Sequence, residues 1–219
     1  MTRLAVFDCD GTLVDSQANI CRAMEACFVQ FRLEPPSREA IRRIVGLSLI
    51  PAIAQLAPQV EPRLHVDMAE GYKQAFWQMR SDKALDPEPL FDGVAEAIEA
   101  LADGGWVLGV ATGKSDRGLA MILEHHRLTH RFATLQTADR HPSKPHPAML
   151  EAAIAEAGAR PETTAMIGDT SFDIQMAIAA GTHPIGVAWG YHDPEELHAA
   201  GAREVSTDAR QLPAMLAAL

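Results

Sequence analysis

Short apolar runs alternate with helical segments along most of this chain, and that alternation restricts the folds open to it. Leu4–Phe7, Val107–Ala111, Ala133–Gln136, Thr164–Ile167 and Pro184–Ala188 read as strands. Between them, Val94–Ala102, Arg117–Glu124, Pro147–Glu156 and Ser171–Ala180 carry Ala, Leu, Ile and Met at helical spacing. Strands apolar on both sides, separated by helix-length stretches, belong to a parallel sheet covered by helices on its two faces. The expected class is α/β, with a Rossmann-like parallel sheet core.

One region departs from the alternation. From about residue 16 to 80 only helical stretches occur: Ala18–Phe31, Arg38–Val45, Leu49–Leu56 and Arg63–Met79. Pro35-Pro36-Ser37 and the prolines at 58 and 62 punctuate them, and Asp86-Pro87-Glu88-Pro89 reads as the return to the sheet. The expectation is an α/β core of residues 1–15 and 84–219 with an inserted all-helical cap of residues 16–83. Most aromatic and Met positions of the insert are expected to pack its own core.

Composition narrows the function. Nineteen Lys and Arg against 29 Asp and Glu give a net charge of −10, which disfavours nucleic acid or an anionic membrane as partner. A small anionic substrate needs only a local positive site. No apolar run approaches the length of a membrane span or signal region. Cys9, Cys21 and Cys27 read as free thiols, and the expected location is cytoplasmic.

Chemistry-bearing residues follow the apolar runs. Asp8-Cys9-Asp10-Gly11-Thr12 follows the first, with two carboxylates at i and i+2 and a glycine that lets the chain turn and present N–H groups to an anion. Thr112-Gly113-Lys114-Ser115 follows the second and leads into a helix, whose N-terminus favours anions. Ser143-Lys144-Pro145 lies beyond the third, and Gly168-Asp169 with Asp173 follows the fourth. A helix starting between Asp169 and Asp173 lets both carboxylates lean toward one point. Any one of these turns alone is open to a purely structural reading as a capped or Asp-Gly turn. Together they combine a nucleophilic carboxylate, a proton donor, a phosphate cradle, a lysine and hard oxygen ligands suited to Mg²⁺.

The four motifs, D-x-D-G-T-L at Asp8–Leu13, Thr112, Lys144-Pro145 and G-D-x-x-x-D at Gly168–Asp173, resemble those of the haloacid-dehalogenase-like hydrolases. The similarity runs from residue 1 to about 190. Val110-Ala-Thr-Gly-Lys-Ser115 and Gly46-Leu-Ser-Leu49 look most like the phosphoglycolate-phosphatase-like branch, with its helical cap. The resemblance implies that Asp8 attacks phosphorus and ligates Mg²⁺. Asp10 would serve as acid and base, with its carbonyl on the metal. Thr112, Gly113 and Gly11 would hold phosphate, Lys144 would offset charge, and Asp169 and Asp173 would complete the metal site. The implied activity is a Mg²⁺-dependent phosphatase that hydrolyses a small phosphomonoester, with phosphoglycolate the substrate the branch resemblance suggests, through an aspartyl-phosphate.

Asp10 favours a phosphatase over a dehalogenase, because an alkoxide leaving group needs a proton and a halide does not. A sugar-phosphate mutase, a pyrophosphatase and a non-catalytic binding protein stay open as alternatives. A mutase would need basic cap residues for a second phosphate; Arg42 and Arg43 are candidates for that contact, or else solvated helix charges. His146 either borders the site or caps a helix, and Asp15 and Ser16 read as the N-cap of the first inserted helix. Oligomeric state is not legible.

Overall fold

β1 (Arg3–Phe7) lies inside a six-stranded parallel sheet of order β3-β2-β1-β4-β5-β6 in this computed structural model, which describes residues 1–219. The other strands are β2 (Trp106–Thr112), β3 (Thr134–Thr137), β4 (Thr164–Gly168), β5 (His183–Val187) and β6 (Glu204–Ser206). The sheet is doubly wound. Ala5 and Phe7 join the hydrophobic cluster on one face, with Val94, Ile98 and Leu101 of α5 (Val94–Asp103). Leu4 and Val6 join the other, with Met149, Leu150 and Ile154 of α7 (Ala148–Ala157). Alternate residues of one strand thus face opposite layers, which is why β1 reads as an unbroken apolar run.

The insert consists of α1 (Gln17–Gln30), α2 (Arg38–Arg42), α3 (Leu49–Leu56) and α4 (Pro62–Ser81). It has its own cluster, including Met24, Phe28, Ile41, Ile53 and Met68. Its two connections to the sheet run side by side. Asp15 N–H donates to Pro89 O at 2.9 Å and Phe91 N–H to Leu13 O at 3.0 Å, so the chain leaves and returns through one paired segment. Asn19 of α1 holds the return segment by accepting from Asp86 N–H and donating to Asp86 O, both at 2.9 Å.

The remaining helices are α6 (Asp116–His125), α8 (Ser171–Ala179), α9 (Pro194–Ala199) and α10 (Leu212–Ala217). Three features differ from the sequence reading. The expected helix Arg38–Val45 stops at Arg42, because the chain turns through buried Ile44 and Val45 into Gly46, whose φ of 99° no helix contains. The helix expected from Arg63 begins at Pro62, whose ring suits a first helical position. β6 was not anticipated: Glu204-Val205-Ser206 is a three-residue edge strand with no apolar run.

Strand order reverses at β1: β2 and β3 lie to one side, β4 to β6 to the other. The crevice beyond the carboxyl ends of β1 and β4 is therefore the place where such a sheet accepts a ligand.

Candidate active site

Asp8 is the first residue past β1, and its N–H donates to Ile167 O of β4 at 2.9 Å, so the neighbouring strand sets its position. Beyond it the chain folds back on itself. Leu13 and Val14 N–H groups both donate to Cys9 O, at 2.9 and 3.1 Å. Gly11 adopts φ 87°, and a Cβ there would lie 2.2 Å from Asp169 Oδ2. Glycine is thus required by both backbone and space. Its N–H, however, donates to Val14 O at 3.0 Å, so the anion contact expected of Gly11 through that group is already spent within the loop.

The carboxylates of Asp8, Asp169 and Asp173 converge, with one oxygen from each lying within 4.8 Å of the others. All three residues are fully buried, as is Lys144, which lies 2.8 Å from Asp8 Oδ1 and 2.7 Å from Asp173 Oδ1. Asp8 Oδ1 also accepts from Cys9 N–H at 2.7 Å, while its Oδ2 has no partner. Asp169 accepts from Thr12 Oγ1 at 2.7 Å and from Tyr191 N–H at 2.9 Å. Asp173 is the third residue of α8, and its Oδ2 accepts from the Thr170 N–H and hydroxyl, a capping box that fixes its rotamer.

Three buried carboxylates against one ammonium leave an uncompensated excess of negative charge. Burial pushes the Asp8 carboxyl up to about 7, with Lys144 opposing and Asp173 adding to the rise. Burial, and then Asp173 and Asp8, push Asp169 well above the usual carboxylate range. Lys144 is held firmly protonated, because Asp173 and Asp8 outweigh the effect of burying it. Three buried carboxylates around one ammonium are expensive, and a divalent cation bound by these hard oxygens would offset their charge. The cluster therefore fits a metal ion.

Asp10 stands beside this group and is also nearly buried. Its Oδ1 accepts from Ser16 Oγ at 2.5 Å and lies 2.9 Å from Lys114 Nζ. Burial opposes the charge on Lys114, but the adjacent Asp10 carboxylate holds it protonated. Thr112 ends β2 and is buried, and its Oγ1 accepts from Lys114 N–H at 3.2 Å. Gly113 lies beneath the insert: a Cβ on it would meet Gly46 O and Leu47 O, each at 2.6 Å.

The structure thus brings Asp8, Asp10, Gly11, Thr112, Gly113, Lys144, Asp169 and Asp173 to one edge of the sheet. It does not bring Arg43 there. Arg43 NH1 donates to Glu196 Oε2 of α9 at 3.0 Å, and the residue lines a separate cavity with Arg42 and Trp189. Ser16 opens α1 without a side-chain cap bond, since its hydroxyl is committed to Asp10. His146 takes the capping role, its Nδ1 accepting from Ala148 N–H at 3.2 Å. Lys114, Ser16 and Thr12 were not singled out as site residues in the sequence; only the position of Lys114, two residues past a strand-end threonine, marked it at all.

Residues 5–187 match the family described as haloacid dehalogenase-like hydrolases. A protein of Dickeya dadantii named "Probable phosphatase IndB" is 38% identical over 203 residues, covering 91% of this chain and 87% of its own. A phosphoglycolate phosphatase of Pseudomonas putida is 27% identical, covering 97% of this chain and 79% of its own. A crystal structure titled as a predicted phosphatase from Clostridium acetobutylicum superposes over all of both chains with a TM-score of 0.88 at 24% identity, a likeness of fold. No helix is long and apolar enough to cross a membrane. The chain belongs to the haloacid dehalogenase-like hydrolases, and it is an enzyme of the phosphatase kind within that family.

Proposed function

We propose that the chain is a Mg²⁺-dependent phosphomonoesterase that passes the phosphoryl group through Asp8. The observation that carries this reading is the asymmetry of the Asp8 carboxylate: Oδ1 is held by Lys144 and Cys9 N–H, whereas Oδ2 is buried and unpartnered. A carboxylate held by one oxygen with the other free is a positioned nucleophile.

Asp8, Asp169 and Asp173, with the Asp10 carbonyl, would hold the metal, Asp173 directly or through water while Lys144 and Thr170 fix its carboxylate. When bound, the ion offsets the charge of the phosphoryl oxygens and of the carboxylates around them. Asp8 Oδ2 forms a bond to phosphorus while the bond to the ester oxygen breaks, and Asp10 delivers its proton to that oxygen. Asp10 then takes a proton from water as the water attacks phosphorus, and the bond to Asp8 breaks. Thr112 and the backbone at Gly113 steady the phosphoryl oxygens, and Lys144 keeps Asp8 and phosphate from repelling each other.

In this reading the insert, residues 16–83, is a cap on a core of residues 1–15 and 84–219, and it keeps bulk water from the acyl phosphate. Ser48 N–H donating to Ser143 Oγ at 2.8 Å and the Gly46–Leu47 segment over Gly113 support that role. Arg42 and Arg43 line another cavity, with Arg43 paired to Glu196, which disfavours them as the contact a mutase would need for a second phosphate. Three cysteines without disulfides are in keeping with a cytoplasmic location. The reading is tested by acid-quenching a reaction with ³²P-labelled ester: label on the chain that hydroxylamine removes supports it, and turnover with no covalent label at any time contradicts it.

A further inference from the structure

A cavity of about 390 Å³ opens between the insert and the sheet, with Asp10 and Lys114 at its inner end. That volume falls in the range of roughly 300–1,000 Å³ used for drug-sized ligands. Its walls are largely apolar and include Met24, Leu49, Phe76, Trp77 and Met121. Trp77 is fixed from behind, with the Arg117 guanidinium 3.5 Å over its ring, so an insert aromatic is braced against α6 of the core.

The charges lining the cavity are Lys73 and Lys114 against Asp10, Glu70 and Asp139, or 2 − 3 = −1. Neither cation is without an acid partner. Lys114 lies 2.9 Å from Asp10, and Lys73 lies 2.6 Å from Glu70 at the rim. His141, the other basic side chain present, is kept toward its neutral form mainly by burial. A two-carbon acid such as phosphoglycolate would place its carboxylate in this net-negative, apolar space without an available counter-ion, which costs free energy.

Resting on the proposed phosphatase reading, we infer that the leaving group is an uncharged alcohol bearing a ring, seated among Met24, Phe76 and Trp77. Specificity then comes from apolar contact and from the absence of an unpaired cation, and the phosphoryl end alone supplies the charge that the protein binds.

The test compares kcat/KM for benzyl phosphate, ethyl phosphate and phosphoglycolate, three alkyl esters in which ring and carboxylate vary separately. With Mg²⁺ present, the wild type is expected to favour benzyl over ethyl phosphate by ~10-fold or more, and ethyl phosphate over phosphoglycolate. Phe76→Ala is expected to lower kcat/KM for benzyl phosphate toward that of ethyl phosphate, erasing most of the first preference. Glu70→Gln removes the acid partner of Lys73 and is expected to raise the ratio of phosphoglycolate to benzyl phosphate turnover several-fold. Phosphoglycolate at or above benzyl phosphate in the wild type would overturn the inference and leave the phosphatase reading standing. Inertness of all three esters, with inorganic phosphate released from no other monoester, would overturn both.

Discussion

Lys144 Nζ lies 2.8 Å from one oxygen of Asp8, and the other oxygen of the same carboxylate is buried without a partner. The lysine thereby does two things: it supplies the single cation among three buried carboxylates, and it orients the oxygen left free. Removing it by Lys144→Met, which keeps the stem volume, strands Asp8 and Asp173. Breaking a buried pair on one side costs ~3–5 kcal/mol. A correspondingly lower urea midpoint at pH 7.5 is expected, with phosphate release lost; an unchanged midpoint would show that the carboxylates do not depend on Lys144.

Lys114 acts on a different carboxylate. It and Ser16 share Asp10 Oδ1, at 2.9 and 2.5 Å, so Lys114→Met frees the Asp10 side chain to leave the site. Misplacing a general acid and base costs ~10²–10⁴-fold. The expected loss is similar for every ester, because each leaving oxygen needs the same proton. A loss confined to one ester would assign Lys114 to substrate recognition instead.

Gly113 is where insert and core touch most closely. A Cβ there would stand 2.6 Å from the carbonyl oxygens of both Gly46 and Leu47. Gly113→Ala is expected to lift the Gly46–Leu49 segment, speeding amide exchange at residues 46–49 and raising KM ~10-fold or more through poorer positioning of substrate. Unaltered exchange in that segment would mean that the contact is not a constraint.

Stability should depend on pH and metal together. The Asp8 carboxyl is raised from 3.8 to about 7 in the metal-free fold, chiefly by burial. Its proton is retained by the folded state, so the associated stability is present below 3.8 and is lost as pH climbs through about 7. The metal-free Tm is expected to fall over that interval. Mg²⁺ at 100 times its Kd should restore ~2.7 kcal/mol at pH 7.5 and much less at pH 5, where protons compete for the same oxygens. A metal-free Tm that rises from pH 4 to 7 would contradict the sign.

Much of this arrangement was legible in the sequence because strand ends are local events. Leu4–Phe7 running into Asp8, and Thr164–Ile167 running into Asp169, announce both a buried strand and the polar group at its carboxyl end. The capping of α8 by Thr170 and Asp173 is likewise written within four residues. Pairings across the chain were not legible. Ser16 resembles an ordinary N-cap until the Asp8–Asp10 loop folds back and takes its hydroxyl. Arg43 sits next to the loop that does cover the site, yet it pairs with Glu196, 153 positions away. The paired connection between Leu13–Asp15 and Pro89–Phe91 depends on contacts no periodicity encodes, as does the three-residue β6 edge.

The claim on which the account turns is that Asp8 is the nucleophile, and Asp8→Asn tests it with almost no change in shape. Phosphate release from benzyl phosphate in saturating Mg²⁺ is the measurement, with the urea midpoint as the control for folding. The account predicts a fall of at least ~10³-fold in kcat for a protein that remains folded. Release by folded Asp8→Asn within a few-fold of the wild type would contradict it.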